Sequence, residues 1–407
     1  MVFYTKYFRM KKEKYIAYLF AFLAIYYLIA NFSIYKSFVA VAIAFVFVVI
    51  GYFYLPKRYK SKSYKEPLLY FSAWSFLYLW SFLISGEVIG FGYIIMLVYS
   101  VLFLSLNLDY QLTIAKFFIW GLSILCLCSA TEYVIYLITG QGIVLGSATR
   151  TTAVQSTNFT HYIFNLILNG RYTIRFQGLA DEAGRLGSLC GMLIFLIRKL
   201  EMSKWPFYII LVSGLLSFSL AFYVLLAIFL LSMSKLSLRN SLMAVCFISV
   251  VLWFLQDQFN ERILERISDI ENVDNRTGEA FDRIFYDAFQ SGQIWIGTGN
   301  ERIISLAEEF DRGLGGGKVF LLQYGVICFV LIFFMYNYIY IKRCRGKVSY
   351  FDWLFLLAFW LSFYQRQTIF FPFTMITFFV MPLARNSIKK VTAIKKVKKN
   401  TIRAKFA

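Results

Sequence analysis

Histidine and clustered metal ligands are what this sequence has least of. Its 407 residues contain one histidine, His161, and six cysteines that lie in or beside apolar runs. The cysteines and acidic residues do not follow the spacing of zinc ligands, and there is no Asp-x-Asp pair and no Walker loop. We therefore expect no metal, no other cofactor and no disulfide framework, so any chemistry must be done by side chains alone.

The composition of a soluble domain is also missing. The chain is 59% hydrophobic and 20% aromatic, and its mean hydropathy is +0.64. Long apolar runs recur along it, and runs of about 20 residues are typical of membrane-spanning helices. These runs lie near residues 15–34, 37–55, 68–85, 88–106, 114–138, 186–197, 206–217, 219–233, 241–256, 318–341, 352–364 and 369–384. We predict an all-α, polytopic integral membrane bundle of about 12 segments, forming a single transmembrane domain over 1–407 without a soluble domain or an internal repeat.

Acidic residues are scarce, and their shortage has a simple explanation in a membrane protein. The 22 Asp and Glu residues oppose 42 Lys and Arg residues, which gives a net charge of +20. In a soluble protein this excess would indicate a nucleic-acid partner. Here the lysines flank apolar runs, so membrane orientation and anionic lipids explain the charge better. The expected partners are therefore membrane lipids and not nucleic acid.

The apolar run 206–233 decides the predicted topology. A single 28-residue helix would place the basic tail 385–407 outside the cell, against the positive-inside rule. Two short segments that turn near Ser217-Phe218-Ser219 instead place every basic cluster inside. The second interpretation puts both termini in the cytoplasm. It leaves two long external segments, about 139–185 and 257–317, in which we expect amphipathic helices.

Arginine dominates the external cations. Of the 42 basic residues, 13 fall outside in this topology, and 11 of these are Arg. Arginine stays charged and binds phosphate through two parallel hydrogen bonds. The first external segment ends with three arginines and two acids in 15 residues: Arg171, Arg175, Asp181, Glu182 and Arg185. This pattern suits an anion held beside carboxylates, and it also fits a solvated linker with weak ion pairs.

The second external segment predicts helices of its own. Residues 261–270 have helical apolar spacing. A further helix from about Thr277 would bury one face, and Arg276 and Arg283 would share another face. Two arginines two turns apart suit a diphosphate, but the same spacing is found in salt-bridged helices. The apolar face would comprise Phe281, Ile284, Phe285 and Ala288.

A glycine turn follows, and three isolated ionisable residues stand out elsewhere. Gly297-Thr298-Gly299 precedes Arg302 at the start of a helix, where free N–H groups favour anions; a structural turn fits equally well. His161 is a candidate general base or an ordinary loop histidine. Glu132 and Arg366 lie in or next to apolar runs, where an ionisable side chain is either functional or reaches out to the interface.

Four short patterns carry a resemblance to a known family. The first is Arg175-Phe-Gln-Gly178-Leu-Ala-Asp-Glu182, which is similar to an Arg-x-x-Gly-x-x-x-Glu-Pro motif before a span. The others are 216–219, the stretch 276–299 and Gln323-Tyr-Gly325-Val. Together with the layout of most of the chain, they resemble the Wzy-type O-antigen and capsular polysaccharide polymerases, in the superfamily that includes O-antigen ligases. Three features depart from the family pattern: Ala183 replaces the proline, Ala221 and Phe222 follow Ser219 where an arginine often stands, and the late-loop histidine of ligases is absent.

The resemblance implies a metal-independent glycosyltransferase of the bacterial cytoplasmic membrane. It would join undecaprenyl-diphosphate-linked oligosaccharide repeat units at the outer face, and a chain-length regulator is a possible partner protein. The diphosphate would be bound by arginines. Glu182 would be the first candidate for the general base or for a residue that orients the sugar, and Asp181 and His161 would be the next candidates. The alternatives are a ligase that transfers glycan to lipid A-core and a non-enzymatic flippase, which would need charged spans and symmetric halves. The arginines implied are Arg175, Arg276, Arg283, Arg302, Arg171, Arg185 and Arg366.

Overall fold

The computed structural model describes residues 2–86, 90–151, 156–169, 175–233, 278–299, 302–303, 305–306, 316–366 and 371–383. Within these ranges the chain is mostly helical, with one small sheet. The elements in chain order are α1 (Val2–Tyr26), α2 (Phe38–Tyr54), α3 (Lys65–Ser85), α4 (Phe91–Leu104), α5 (Leu108–Thr139), β1 (Val144–Thr151), β2 (Ser156–Tyr162), β3 (Leu166–Leu168), α6 (Ala183–Lys199), α7 (Lys204–Leu216), α8 (Leu220–Ser232), α9 (Gly278–Gln290), α10 (Gly317–Arg343), α11 (Tyr350–Gln365) and α12 (Pro372–Val380).

Among the helices of the described residues, three are long and apolar enough to cross a membrane. These are α3, α5 and α10, with 21, 32 and 27 residues. Helices α2, α4, α7, α8 and the stretch Pro372–Leu383 are apolar but shorter. These helices are compatible with a membrane protein, whereas a bundle of 12 spans is not confirmed. The predicted run 241–256, the helix at 261–270 and the tail 385–407 lie outside the described residues.

The break in the run 206–233 is confirmed. Helix α7 ends at Leu216 and α8 begins at Leu220. Between them Phe218 is buried and has a left-handed backbone, with φ 46°. Each helix has 13 residues, which at 1.5 Å per residue is about 20 Å. Each is therefore shorter than the roughly 30 Å hydrocarbon core of a bilayer.

The prediction for the first run was wrong at its end. Helix α1 stops at Tyr26, and the apolar residues after it form an irregular segment over 27–37 instead of continuing as a helix. The N–H of Ala30 donates to the carbonyl of Leu179 at 2.8 Å, and Ile29 bridges Ala180. These residues are apolar because they pack against another part of the chain, which a hydropathy pattern cannot distinguish from a helix.

The expectation of an all-α fold needs a correction in the segment 139–185. This segment forms a three-stranded antiparallel sheet in the order β1-β2-β3, with Thr149 opposite Asn158 and Phe159 opposite Leu168. β-Branched residues are frequent in it, and such residues favour strands. Phe159 and Leu166 pack on Ala30 of the irregular segment. The sheet therefore supports residues 27–37.

The connections between helices sort into two groups. One end is called here the basic end (residues 56–64, 105–107, 199–203 and 342–349), because Lys and Arg cluster in 56–64 and 342–349. There the buried Arg343 donates to Glu66 at 2.8 Å, to the side chain of Gln111 at 2.9 Å and to the carbonyl of Phe379 at 2.7 Å. One guanidinium thus ties four helices together, since its partners lie on α3, α5 and α12.

The other group is called here the site end (residues 27–37, 163–165, 175–182, 217–219, 296–299, 364–366 and 371). Its segments hold one another: the indole N–H of Trp80 donates to the carbonyl of Ile296 at 2.9 Å, and Glu182 pairs with Arg366. The alternation of the two ends along the chain agrees with helices that cross back and forth. Four of the eight candidate residues that are described lie in these segments: Arg175, Asp181, Glu182 and Arg366.

Candidate functional site

A cavity of about 770 Å³ opens at the site end. One wall is apolar and comes from the first turns of α2 and α4, where Phe38, Val41, Ile95 and Met96 line it. The other wall is polar and contains Lys36, Asp181 and Arg185. The cavity is therefore amphipathic, with its cations on the side of the irregular segment 27–37 and of α6.

Asp181 and Arg185 form the rigid part of the polar wall. Their side chains lie one helical turn apart at the start of α6 and form an ion pair of 2.9 Å. The guanidinium of Arg185 also lies 5.0 Å from the ring centre of Phe371, a cation–π contact. The pair fixes the direction of the guanidinium beside the cavity.

Glu182 and Arg366 form a second ion pair next to the first. Glu182 is the N-cap of α6, and Arg366 is the C-cap of α11. The Glu182 side chain is 36% exposed and the Arg366 side chain only 11% exposed, so the carboxylate remains accessible while the cation is enclosed. Gly184 makes room for this pair, because a Cβ there would collide with the Arg366 guanidinium. Neither residue of the pair lines the cavity itself, although Glu182 directly follows the lining residue Asp181 in sequence.

Lys36 is a site residue that sequence reasoning missed. Its ammonium donates to the carbonyl of Ile29 at 2.7 Å and lies 3.5 Å from that of Tyr27. Burial lowers the pKa of Lys36 to about 8; Asp181 opposes this shift and Arg185 adds to it. A weak signal was present in the sequence, because Lys36 is one of very few external lysines among many arginines.

Arg175 holds the turn between α7 and α8. Its Nε donates to the carbonyl of Ser217 at 3.2 Å and its Nη2 to the carbonyl of Phe218 at 2.9 Å. Carbonyls at a helix C-terminus lack partners within the helix, and an arginine fork satisfies two of them. Arg175 is not among the residues that line the cavity. Its described contacts therefore assign it a structural task, and its role in phosphate binding stays a prediction.

We expect Arg175→Lys to lower the stability of the protein. A lysine can reach one of the two carbonyls but cannot reproduce the fork, so a hydrogen bond to a charged group worth about 1.5–3 kcal/mol is lost. The measurement is the thermal unfolding midpoint in detergent. An unchanged midpoint would contradict this structural task of Arg175.

His161 lies in β2 and not in a loop. The ring is 0% exposed, and its Nε2 is 2.9 Å from the hydroxyl of Ser33. Burial lowers the pKa of His161, which favours the neutral ring. A proton acceptor must reach its substrate within hydrogen-bond distance, and an enclosed ring in the sheet has no such access. The contact with Ser33 instead holds the irregular segment on the sheet.

The carboxylate of Glu132 accepts hydrogen bonds from the turn between β2 and β3. It accepts the backbone N–H groups of Ile163 at 3.0 Å and Phe164 at 2.8 Å, and the side-chain amide of Asn165 at 2.8 Å. These hydrogen bonds give Glu132 a structural task. It anchors the sheet to α5.

The two described arginines of the second external segment, Arg283 and Arg302, do not line the cavity. Helix α9 has the predicted apolar face: Phe281 and Ala288 are buried and Ile284 and Phe285 partly so, against Ile303, Leu306, Val319 and Leu322. Arg283 and Arg302 are exposed. Arg171 and Arg276 lie outside the described residues, so their predicted role is untested.

The glycine turn 297–299 has a structural explanation. Helix α10 is interrupted at Gly325, whose φ is +85°. The N–H groups of Thr298 and Gly299 donate to the carbonyls of Leu322 and Gln323 at 2.7 and 3.1 Å. The turn thus replaces helical partners that the interruption removes.

The described residues include no group of three or more His, Cys, Asp or Glu side chains able to hold a metal ion. Comparisons with known proteins found no matching family model, no matching curated protein and no matching solved structure.

Proposed function

We propose that this chain is a membrane glycosyltransferase of the polysaccharide polymerase type. It would join polyprenyl-diphosphate-linked oligosaccharide repeat units at the outer face of the bacterial cytoplasmic membrane. The observation that supports this best is the amphipathic cavity at the site end, because it combines cations with an apolar wall. A lipid diphosphate has the same two parts, a charged headgroup and a hydrocarbon tail.

The apolar wall leads toward the outside of the bundle. Side chains on α2 that do not face the protein are large, apolar and exposed, as Phe38, Ile43 and Phe47 illustrate. In a bilayer such side chains contact lipid. A polyprenyl tail could therefore pass between α2 and α4 while the diphosphate stays beside Arg185.

The reaction needs a leaving group that is neutralised and a hydroxyl that loses its proton. The acceptor hydroxyl oxygen forms a bond to the anomeric carbon, and the bond from that carbon to the diphosphate oxygen breaks. The electron pair stays on the diphosphate, where Arg185 and Arg366 offset the added charge. Glu182 accepts the hydroxyl proton. When the diphosphate replaces Glu182 as the partner of Arg366, the carboxylate becomes available for this step.

A reconstituted assay tests the proposal. Purified protein in liposomes is given a lipid-diphosphate repeat unit with EDTA and without nucleotide sugar, and the products are sized on a gel. We expect a ladder of lengthened lipid-linked glycan, because side chains supply every charge that the step requires. A single product formed only after lipid A-core is added would replace the polymerase with a ligase. Transfer of unchanged lipid across the bilayer without any ladder would replace it with a flippase.

A further inference from the structure

The hydroxyl of Tyr27 is buried at the cavity and unsatisfied. Tyr27 lines the cavity and is 7% exposed, and within the described ranges its hydroxyl has no hydrogen-bond partner. Leaving a buried polar group unpaired destabilises a protein, so native structures rarely do it without a functional reason. Burial also raises the pKa of Tyr27. The hydroxyl therefore stays protonated and remains a hydrogen-bond donor.

Lys36 lies in the same stretch of chain and has donor capacity to spare. An ammonium group has three N–H donors, and the contacts of Lys36 with described residues are the carbonyls of Ile29 and Tyr27 and the ring of Tyr27, 5.5 Å away. At least one donor is left for a ligand. Asp181 is the nearby carboxylate, but its ion pair is with Arg185.

We propose that Tyr27 and Lys36 form a phosphate-binding corner of the cavity, which donates a hydroxyl and an ammonium to one phosphate group of the lipid diphosphate. The proposal rests on the proposed function, since it names the residues that would hold that substrate's headgroup. Arg185 faces the same space from α6. A phosphate oxygen accepts several hydrogen bonds, so the three donors can act on one group.

The corner is positioned before any ligand arrives. The N–H of Lys36 donates to the carbonyl of Ser33 at 2.9 Å, and the hydroxyl of Ser33 meets His161 at 2.9 Å. Earlier in the segment, the N–H of Ala30 donates to the carbonyl of Leu179. His161 is therefore a positioning residue that acts on Lys36 through Ser33, and a preset geometry lowers the entropy cost of binding.

The test is a titration of the purified full chain in detergent with geranylgeranyl diphosphate. In Tyr27→Phe we expect the affinity to fall about tenfold, the typical effect of one lost hydrogen bond to a charged group. The thermal midpoint should stay the same or rise, because the change removes an unsatisfied buried hydroxyl. Tyr54→Phe, at an exposed position on α2, is the control and should alter neither value. A residue with only a structural role would not weaken binding while preserving stability.

Lys36 gives a second, independent measurement. Lys36→Gln should weaken binding at least about tenfold, Lys36→Arg should restore part of it, and the exposed Lys62→Gln should have no effect. Since the pKa of Lys36 is about 8, the ammonium is charged below that pH and loses its proton above it. The wild-type affinity should therefore fall between pH 8 and 10, while Asp181 and Arg185 beside it keep their charges. In Lys36→Arg this fall should disappear.

The outcomes separate this inference from the proposed function. If wild type binds geranylgeranyl diphosphate and both Tyr27→Phe and Lys36→Gln bind it equally well, the corner is wrong and the polymerase proposal survives. If wild type binds no diphosphate at all, both fail. Inorganic pyrophosphate and phosphatidylglycerol are run in parallel. If the two substitutions weaken the binding of phosphatidylglycerol alone, the corner binds the headgroup of a bulk lipid and the proposal is overturned.

Discussion

Replacement of Glu182 by glutamine is expected to lower polymer synthesis by a factor on the order of 100 or more, which is the usual contribution of a general acid or base. Glutamine keeps the shape of the side chain and can still accept a hydrogen bond from Arg366, but it cannot take a proton from the acceptor hydroxyl. The rate of repeat-unit addition in the reconstituted assay measures the effect. The protein level and the thermal midpoint should change little, because the Glu182 side chain is 36% exposed.

A matched control is available at the opposite end of the same helix. Glu182 precedes α6 and Glu201 follows it, and Glu201 is an exposed carboxylate at the basic end. We expect Glu201→Gln to leave polymer synthesis within about a factor of two, as a surface substitution usually does. Equal losses in both variants would mean that charge or expression, and not proton transfer, explains the first result.

An exchange of the two partners separates the chemical role of Glu182 from its structural one. In the double variant Glu182→Arg with Arg366→Glu, the ion pair is rebuilt with its direction reversed. If the pair serves only to join α6 to α11, the exchange should restore activity that Glu182→Arg alone removes. We expect the exchange to restore thermal stability while polymer synthesis stays absent, because the carboxylate is then on the wrong helix. Recovery of full synthesis would contradict a catalytic Glu182.

Features set by local sequence were predictable. The apolar runs are continuous enough to place most helices to within a few residues, and the interruption of 206–233 followed from charge and length. The buried face of α9 was also predicted, because residues such as Phe281 and Ala288 recur at helical spacing. Helical periodicity repeats every three or four residues, so a helix can be predicted without knowledge of the rest of the fold.

Features that depend on distant contacts were not predictable. The Glu182–Arg366 pair joins residues 184 positions apart. Lys36 owes its position and its lowered pKa to an irregular segment that packs on a sheet, and the pattern of that segment is the same as that of a helix end. His161 was expected in a polar loop, yet strand pairing turns its ring inward beside Ser33. In each case, the chemistry of the side chain depends on contacts with residues that are distant in the sequence.

Alanine at Gly325 is expected to destabilise the protein more than any other single change considered. With φ 85° and ψ 163°, Gly325 has a backbone conformation that is essentially restricted to glycine, and it costs an alanine about 1–3 kcal/mol. A Cβ there would also lie 2.5 Å from the carbonyl carbon of Ile296 and 2.6 Å from its oxygen. These are backbone atoms, so no side chain can rotate away. We expect a midpoint several degrees lower and a reduced yield of monodisperse protein, measured by heating followed by size-exclusion chromatography.

Gly86 is a comparison position where an added Cβ meets no clash. It also has a positive φ, +68°, but nothing lies within 4 Å of the position that a Cβ would take. Gly86→Ala should therefore show the cost of a left-handed backbone without a clash, and Gly325→Ala should exceed it because its backbone conformation is less favourable and its Cβ also clashes. Gly297→Ala should resemble Gly325→Ala, because its Cβ would meet the carbonyl of Gln323 at 2.6 Å from the other side of the same contact. If all three variants lose equal stability, close packing does not explain the contact between the glycine turn and α10. The alternative prediction, that the turn is an anion site, would then be favoured.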